Sequence, residues 1–440
     1  MRGGPASFRP QALISFAFFA LGLASFAVAL GWLGGRPETF LGAARAGEMV
    51  ALVHLTILGW MGSFVFGAAY QLIPVISEGP LFSRGLAWTH AVLHVAALPV
   101  LLVSMVQERF AGAAHAGSLL AIGAVIGVFN LIATATRRSR WTPDNVGLQF
   151  ALFWLVVTVA MGVLLAFARA GKLTGLDAAS ILRLHMTCGV VGFFLGTLVS
   201  VAFKLVPMFL LSAVKTTARA WSSIALLNGG LALAVPGLLG GLDLVVVLAA
   251  ALIAAGVAVF LVEMAVLVRR RMRSLDWPLR GFFAGVCMLV PATAVALIGV
   301  LQSVGWIERG PERAGLAVFV LGVFGVLTPC ILGMAGRIVP FLAWQWRYAP
   351  HVGRARVPIV ADLVSVPVLR LQCFAILAGL AGVGAGVAFG SAACIRVGAL
   401  GFFAGAGCLA LTGIGLIPHL VRPRLAPLAA PKPVARTASP

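Results

Sequence analysis

His54-Leu-Thr-Ile-Leu-Gly59-Trp60-Met-Gly62-Ser-Phe-Val-Phe-Gly67-Ala68-Ala-Tyr70-Gln71-Leu72-Ile73-Pro74 decides the fold of this 440-residue chain. The stretch is apolar and, at about 20 residues, long enough to cross a bilayer as a helix. A histidine stands near one end and Tyr-Gln-Leu-Ile-Pro closes the other. The same exit returns as Phe203-Lys204-Leu205-Val206-Pro207 and again as Gly336-Arg337-Ile338-Val339-Pro340. The prolines are evenly placed, since 207 − 74 = 133 and 340 − 207 = 133. A fixed period of this kind marks an internal repeat, here too long for a solenoid unit, so each copy should be a bundle of several helices.

Composition places those copies in lipid. The chain is 61% hydrophobic and 10% charged, with mean hydropathy +1.07, whereas a soluble domain carries about 25% charged residues. Membrane strands would need only about 9–11 residues with alternating polarity, and the apolar runs here are continuous and longer. The net charge of +20 does not point to nucleic acid, because the cations cluster in alternate loops, as membrane insertion leaves them. Twelve spans are predicted, at about 11–34, 48–76, 86–106, 113–135, 146–170, 181–211, 219–240, 243–268, 279–303, 314–344, 368–391 and 396–421. The fold class is therefore an all-α polytopic membrane protein in three pseudo-symmetric four-helix repeats, covering 1–140, 141–273 and 274–424, with a basic, disordered tail over 425–440. The proline motif then closes the second span of every repeat.

The basic loops set an orientation. Arg137, Arg138 and Arg140, the run Arg269 to Arg273, and Arg347, Arg354 and Arg356 fall on one side. That excess predicts a multi-pass protein of the cytoplasmic (inner) membrane with both termini inside. Arg2, Arg9 and the apolar run to about Trp32 could also be read as a signal peptide, but removing it would leave the repeat one span short. The six cysteines lie inside apolar runs with no C-x-x-C pair, which predicts buried structural thiols.

Intramembrane histidines are functional candidates, because polarity is expensive there. His54 and His185 occupy one depth on repeat-related spans. Two facing imidazoles suit a six-coordinate haem iron, with His115 as another partner for His54. Gly59, Gly62 and Gly192 offer flat faces for a porphyrin, and equally for helix packing. His90 and His94 are spaced i, i+4 and share a helix face, which fits two ligands of one copper or zinc ion, or a hydrogen-bonded pair. Glu263 is a candidate for proton movement. Gln71, Lys204 and Arg337 are related by the repeat, and the two cations read as interfacial anchors or as contacts for an anion or a haem propionate. The three prolines are expected to end or kink their helices.

The opening stretch resembles the tenth helix of the catalytic subunit of C-type haem-copper oxidases. The resemblance is carried by His54, Leu58-Gly59-Trp60 and Gly67-Ala68-x-Tyr70-x-Leu72-Ile73-Pro74. Val191-Gly192-Phe193-Phe194-Leu195 with Val206-Pro207 is similar to that family's copper-bearing helix, and Leu332 to Arg337 is similar to the NnrS family of haem- and copper-containing membrane proteins. The resemblance implies a twelve-helix fold in three groups of four and His54 as a low-spin haem ligand. It also shows what is missing. Leu52 stands where the family has its high-spin haem ligand, Thr187 or Cys188 stands near its copper ligand, and Arg219–Gly240 contains no histidine. The expectation is a redox-related protein binding haem b, and copper if the second pair serves, without an oxygen-reducing centre. Its partners would be the lipid bilayer and a respiratory or cytochrome subunit. A copper or haem carrier, or a non-catalytic scaffold, is the alternative.

Overall fold

The computed structural model describes residues 5–42, 46–77, 79–137, 141–212, 217–308 and 314–425. Twelve helices are long and apolar enough to span a membrane: α1 (Ala12–Gly35), α2 (Ala46–Ile76), α3 (Arg84–Val106), α4 (Phe110–Thr136), α5 (Pro143–Arg169), α6 (Ala178–Leu210), α7 (Thr217–Gly240), α8 (Asp243–Arg269), α9 (Trp277–Ser303), α10 (Ala314–Arg347), α11 (Val366–Phe389) and α12 (Ala392–Val421). Among the described residues there is no strand, only one isolated bridge between Val352 and Ala355. Spanning helices satisfy their own backbone groups, which lipid cannot do. Large apolar side chains such as Val92, Val95, Phe129, Leu244 and Phe403 are exposed on the outside, where acyl chains would cover them.

The packing order is cyclic. In each group of four the first helix packs on the second (α1–α2, α5–α6, α9–α10) and the third on the fourth (α3–α4, α7–α8, α11–α12). The fourth then packs on the first helix of the next group, α4 on α5 and α8 on α9, and α12 returns to α1. The proline-motif helices form the centre. Their most apolar windows are 61%, 56% and 56% buried, against 17–22% for α5, α8 and α9.

The three central helices share a further feature. Each contains an eight-residue π-helical segment: Leu55–Gly62, Cys188–Leu195 and Val320–Leu327. The segments begin 19, 19 and 20 residues before Pro74, Pro207 and Pro340 (74 − 55, 207 − 188, 340 − 320). A π-helical turn widens the helix and is common at functional sites. The prolines do not end these helices, which run on to Ile76, Leu210 and Arg347. Each proline withholds its own N–H from the helix and crowds the carbonyl four residues earlier, so it perturbs the last turns without ending them.

Between the three central helices lies a cavity of about 110 Å³. Ala69, Ala202 and Ala335 on its wall each stand five residues before their proline, and Phe64, Thr197 and Cys330 each stand ten before. Equivalent positions of the repeat thus meet around one space.

The loop between α10 and α11 forms two 3₁₀ turns, Ala349–His351 and Val360–Leu363, with Trp344 Nε1 donating to Pro358 O at 2.6 Å. Prolines 350 and 358 withhold the N–H groups that a regular α-helix would need there. The basic tail, Arg138, Arg140, Lys215 and Glu78 lie outside the described residues, apart from Leu425. All six cysteines are free. Cys188, Cys330, Cys373 and Cys408 are buried as expected, whereas Cys287 is exposed on α9.

Candidate functional site

His54 sits on α2 immediately before the first π-helical segment, and His185 on α6 three residues before the second. Asp177 starts α6 by accepting from the N–H groups of Ala179 and Ser180. The Ser180 hydroxyl foremost, then these amides, hold that exposed carboxyl below its usual range. Through this framework two histidines 131 residues apart (185 − 54) come together. Their ring centres lie 6.3 Å apart with planes 24° from parallel.

Each ring is fixed by its Nδ1. His54 Nδ1 lies 2.8 Å from Val50 O, one turn back on its own helix. His185 Nδ1 lies 2.9 Å from Thr158 O on α5. A carbonyl only accepts, so both rings carry their proton on Nδ1 and leave Nε2 with its lone pair. Among the described residues neither Nε2 has a hydrogen-bond partner. This is how a metal-binding histidine is ordinarily prepared: the outer nitrogen donates to a carbonyl and fixes the tautomer of the inner one.

The donor set also has a size. The two ring centres, 6.3 Å apart, lie close enough for both imidazoles to serve one bound group. Among the described residues, no group of three or more His, Cys, Asp or Glu could hold a metal ion. A bare zinc or copper site would need more protein donors, whereas a haem brings four nitrogens of its own and asks for two axial ligands. Both rings are only half-buried, so the pair is not sealed inside the bundle.

Gly162 was not visible as a site residue in the sequence. A Cβ there would lie 2.9 Å from His185 Cε1, so the glycine on α5 leaves the space the ring occupies. Thr158, one turn earlier on the same helix face, supplies the carbonyl. That i, i+4 pairing was the only available signal.

Of the glycines read as porphyrin faces, Gly59 and Gly192 are covered by neighbouring helices. A Cβ on Gly59 would meet Ser25 at 2.8 Å, one on Gly192 would meet the Trp154 side chain at 2.6 Å, and one on Gly62 would meet the Ile57 carbonyl at 3.2 Å. Gly59 and Gly192 serve close helix approach, and Gly62 sits against its own π-helical turn. His115 stands apart: it is exposed, its Nδ1 is 2.7 Å from Ala111 O, and its ring neighbour is Phe167 at 6.1 Å.

His90 and His94 are buried, at 0% and 3% exposure. Their ring centres are 5.8 Å apart and the planes cross at 87°. His90 Nδ1 lies 2.8 Å from the Tyr70 hydroxyl. His94 Nε2 lies 3.3 Å from Ser63 Oγ, and the same ring meets the Leu58 carbonyl inside the π-helical segment. Phe18 and Phe66 pack on both rings, and Gly127 makes room for His90. This pair spends its nitrogens on α2, except for His90 Nε2, which has no partner. The hydrogen-bonded alternative describes it better than shared coordination of one ion.

Glu263 is fully buried, and one oxygen is held by Arg219 Nε at 2.5 Å, which locks α7 to α8. Of the three repeat-related polar positions, Arg337 pairs with Asp276 at 2.5 Å and lies over Phe209. Lys204 is exposed, and Gln71 is buried with neither amide atom partnered. His351 lies in the loop after α10, and His419 bonds the Tyr348 hydroxyl at 2.7 Å. Compared with known proteins, the chain matches no family model and no curated protein.

Proposed function

We propose that this integral membrane protein binds one b-type haem between His54 and His185 and serves a redox-related role on an oxidase-like scaffold that lacks an oxygen-reducing centre. The observation that carries the reading is the 6.3 Å pair with both Nδ1 atoms on backbone carbonyls. His54 and His185 would supply the axial nitrogens, and Val50, Thr158 and Gly162 would hold the rings. When bound, the haem would supply reversible one-electron chemistry at iron. With both imidazoles holding it, such a group would suit electron passage better than substrate activation. The lopsided basic loops support placement in the cytoplasmic membrane with both ends inside. The histidine pair would then lie in the outer third of the bilayer, with a respiratory or cytochrome subunit as its electron partner. Purification in mild detergent tests the reading: the parent should show the spectrum of a low-spin bis-imidazole haem at stoichiometric iron. His54→Ala and His185→Ala should each lose it. A full-occupancy, unchanged spectrum in both variants would refute the assignment.

A further inference from the structure

The cavity between α2, α6 and α10 belongs to neither histidine pair, since none of the four rings lines it. Its wall carries no charged or amide side chain, and Thr197 supplies its sole hydroxyl. The Cys330 thiol is already engaged, donating to Phe282 O at 3.4 Å. A buried water needs two to four polar partners, which this apolar wall does not offer.

The space is also held open by the sequence in a regular way. An empty void destabilises a core in proportion to its volume. A larger aliphatic residue at any of positions 69, 202 or 335 would reduce it, yet all three carry alanine at one register of the repeat. The neighbouring positions are not uniform. Phe64, Thr197 and Cys330 present a ring, a hydroxyl and a thiol at the next register. The surround is asymmetric while the small residues are conserved across the three copies within this chain.

We propose that this cavity is a binding site for a single small apolar molecule, between a diatomic gas and benzene in size. A dry, aliphatic and aromatic cavity of about 150 Å³ takes up benzene or xenon, and the space here is of that order at about 110 Å³. Such molecules dissolve in the bilayer and reach the bundle without passing through water. Recognition is by shape and dispersion, with Thr197 as the lone polar contact. The inference is independent of haem binding, because it concerns other residues and needs no iron.

Xenon tests it on the full chain in nanodiscs, by xenon NMR and by xenon-derivatised diffraction. The expected result is one saturable site bounded by Phe64, Thr197 and Cys330. That signal should be lost in Ala202→Leu and in Ala335→Leu, and retained in Gly229→Leu, where an added side chain meets open space. Ala202→Val fills the same space more gently, and a monodisperse Ala202→Val protein reads the loss where a leucine variant does not fold. Absence of a saturable site in the parent, or an unchanged signal in the filled variants, overturns the proposal. So does density for a lipid acyl tail in the cavity, which would make it a lipid contact.

Discussion

The two intramembrane histidine pairs make opposite use of the same side chain. His90 and His94 are four residues apart on one helix, fully buried, and bonded to Tyr70 and Ser63 of α2. His54 and His185 are far apart in sequence, half-buried, and bonded only to backbone carbonyls through the nitrogen that points away from chemistry. In the first pair the imidazole is a packing element that satisfies a polar neighbour. In the second it is a held but unspent donor. What separates the pairs is burial and the kind of partner: His90 and His94 are sealed among α2 side chains, whereas His54 and His185 are half-buried and held by backbone carbonyls alone.

That contrast can be broken most sharply at His185. Substitution by alanine should abolish haem absorbance, while the His90→Ala/His94→Ala double variant should keep full haem iron and unchanged copper and zinc, read by metal analysis of both proteins. The reverse pattern would exchange the roles assigned to the two pairs. Next in size is Gly162→Val, whose side chain would collide with His185. It should reduce haem occupancy strongly without touching a ligand, measured as the haem-to-protein absorbance ratio. Tyr70→Phe probes the other side of the comparison. It leaves His90 Nδ1 buried without its partner and should cost about 1–3 kcal/mol of stability, read by thermal unfolding, with the haem spectrum unchanged. The smallest expected effect is at Asp177→Asn. Loss of the charge at the start of α6 should remove the acid sensitivity of that cap. The folded carboxyl titrates lower than the unfolded one, so its stabilisation is present above the unfolded value and fades as pH falls through the folded one. A pH series of melting temperatures for parent and variant checks this.

Much of the architecture was legible because lipid imposes a simple rule. Apolar runs located all twelve helices to within a few residues, and the 133-residue proline period related α2, α6 and α10, which the structure places at the centre. What the sequence withheld has a physical pattern. The π-helical segments differ from α-helix by one hydrogen-bond register, and apolar composition is blind to that. Glycine patterns could not separate a cofactor face from a helix contact, and Ser25 and Trp154 settle Gly59 and Gly192 as contacts. His115 was an alternative partner for His54, but it is exposed and its ring lies against Phe167. The i, i+4 spacing of His90 and His94 fixed a shared face but said nothing about Tyr70, which reaches that face from another helix.

The contact between α12 and α1 has a topological consequence. Because the last helix seats against the first, every group meets its neighbours through a fourth-to-first helix seam. An even number of crossings also returns Ala12 and Val421, the outer ends of the first and last spans, to one face. The covalent order is then only one way of threading the ring: joining Val421 to Ala12 by a flexible linker and opening the loop between α4 and α5 would leave every interhelical surface intact.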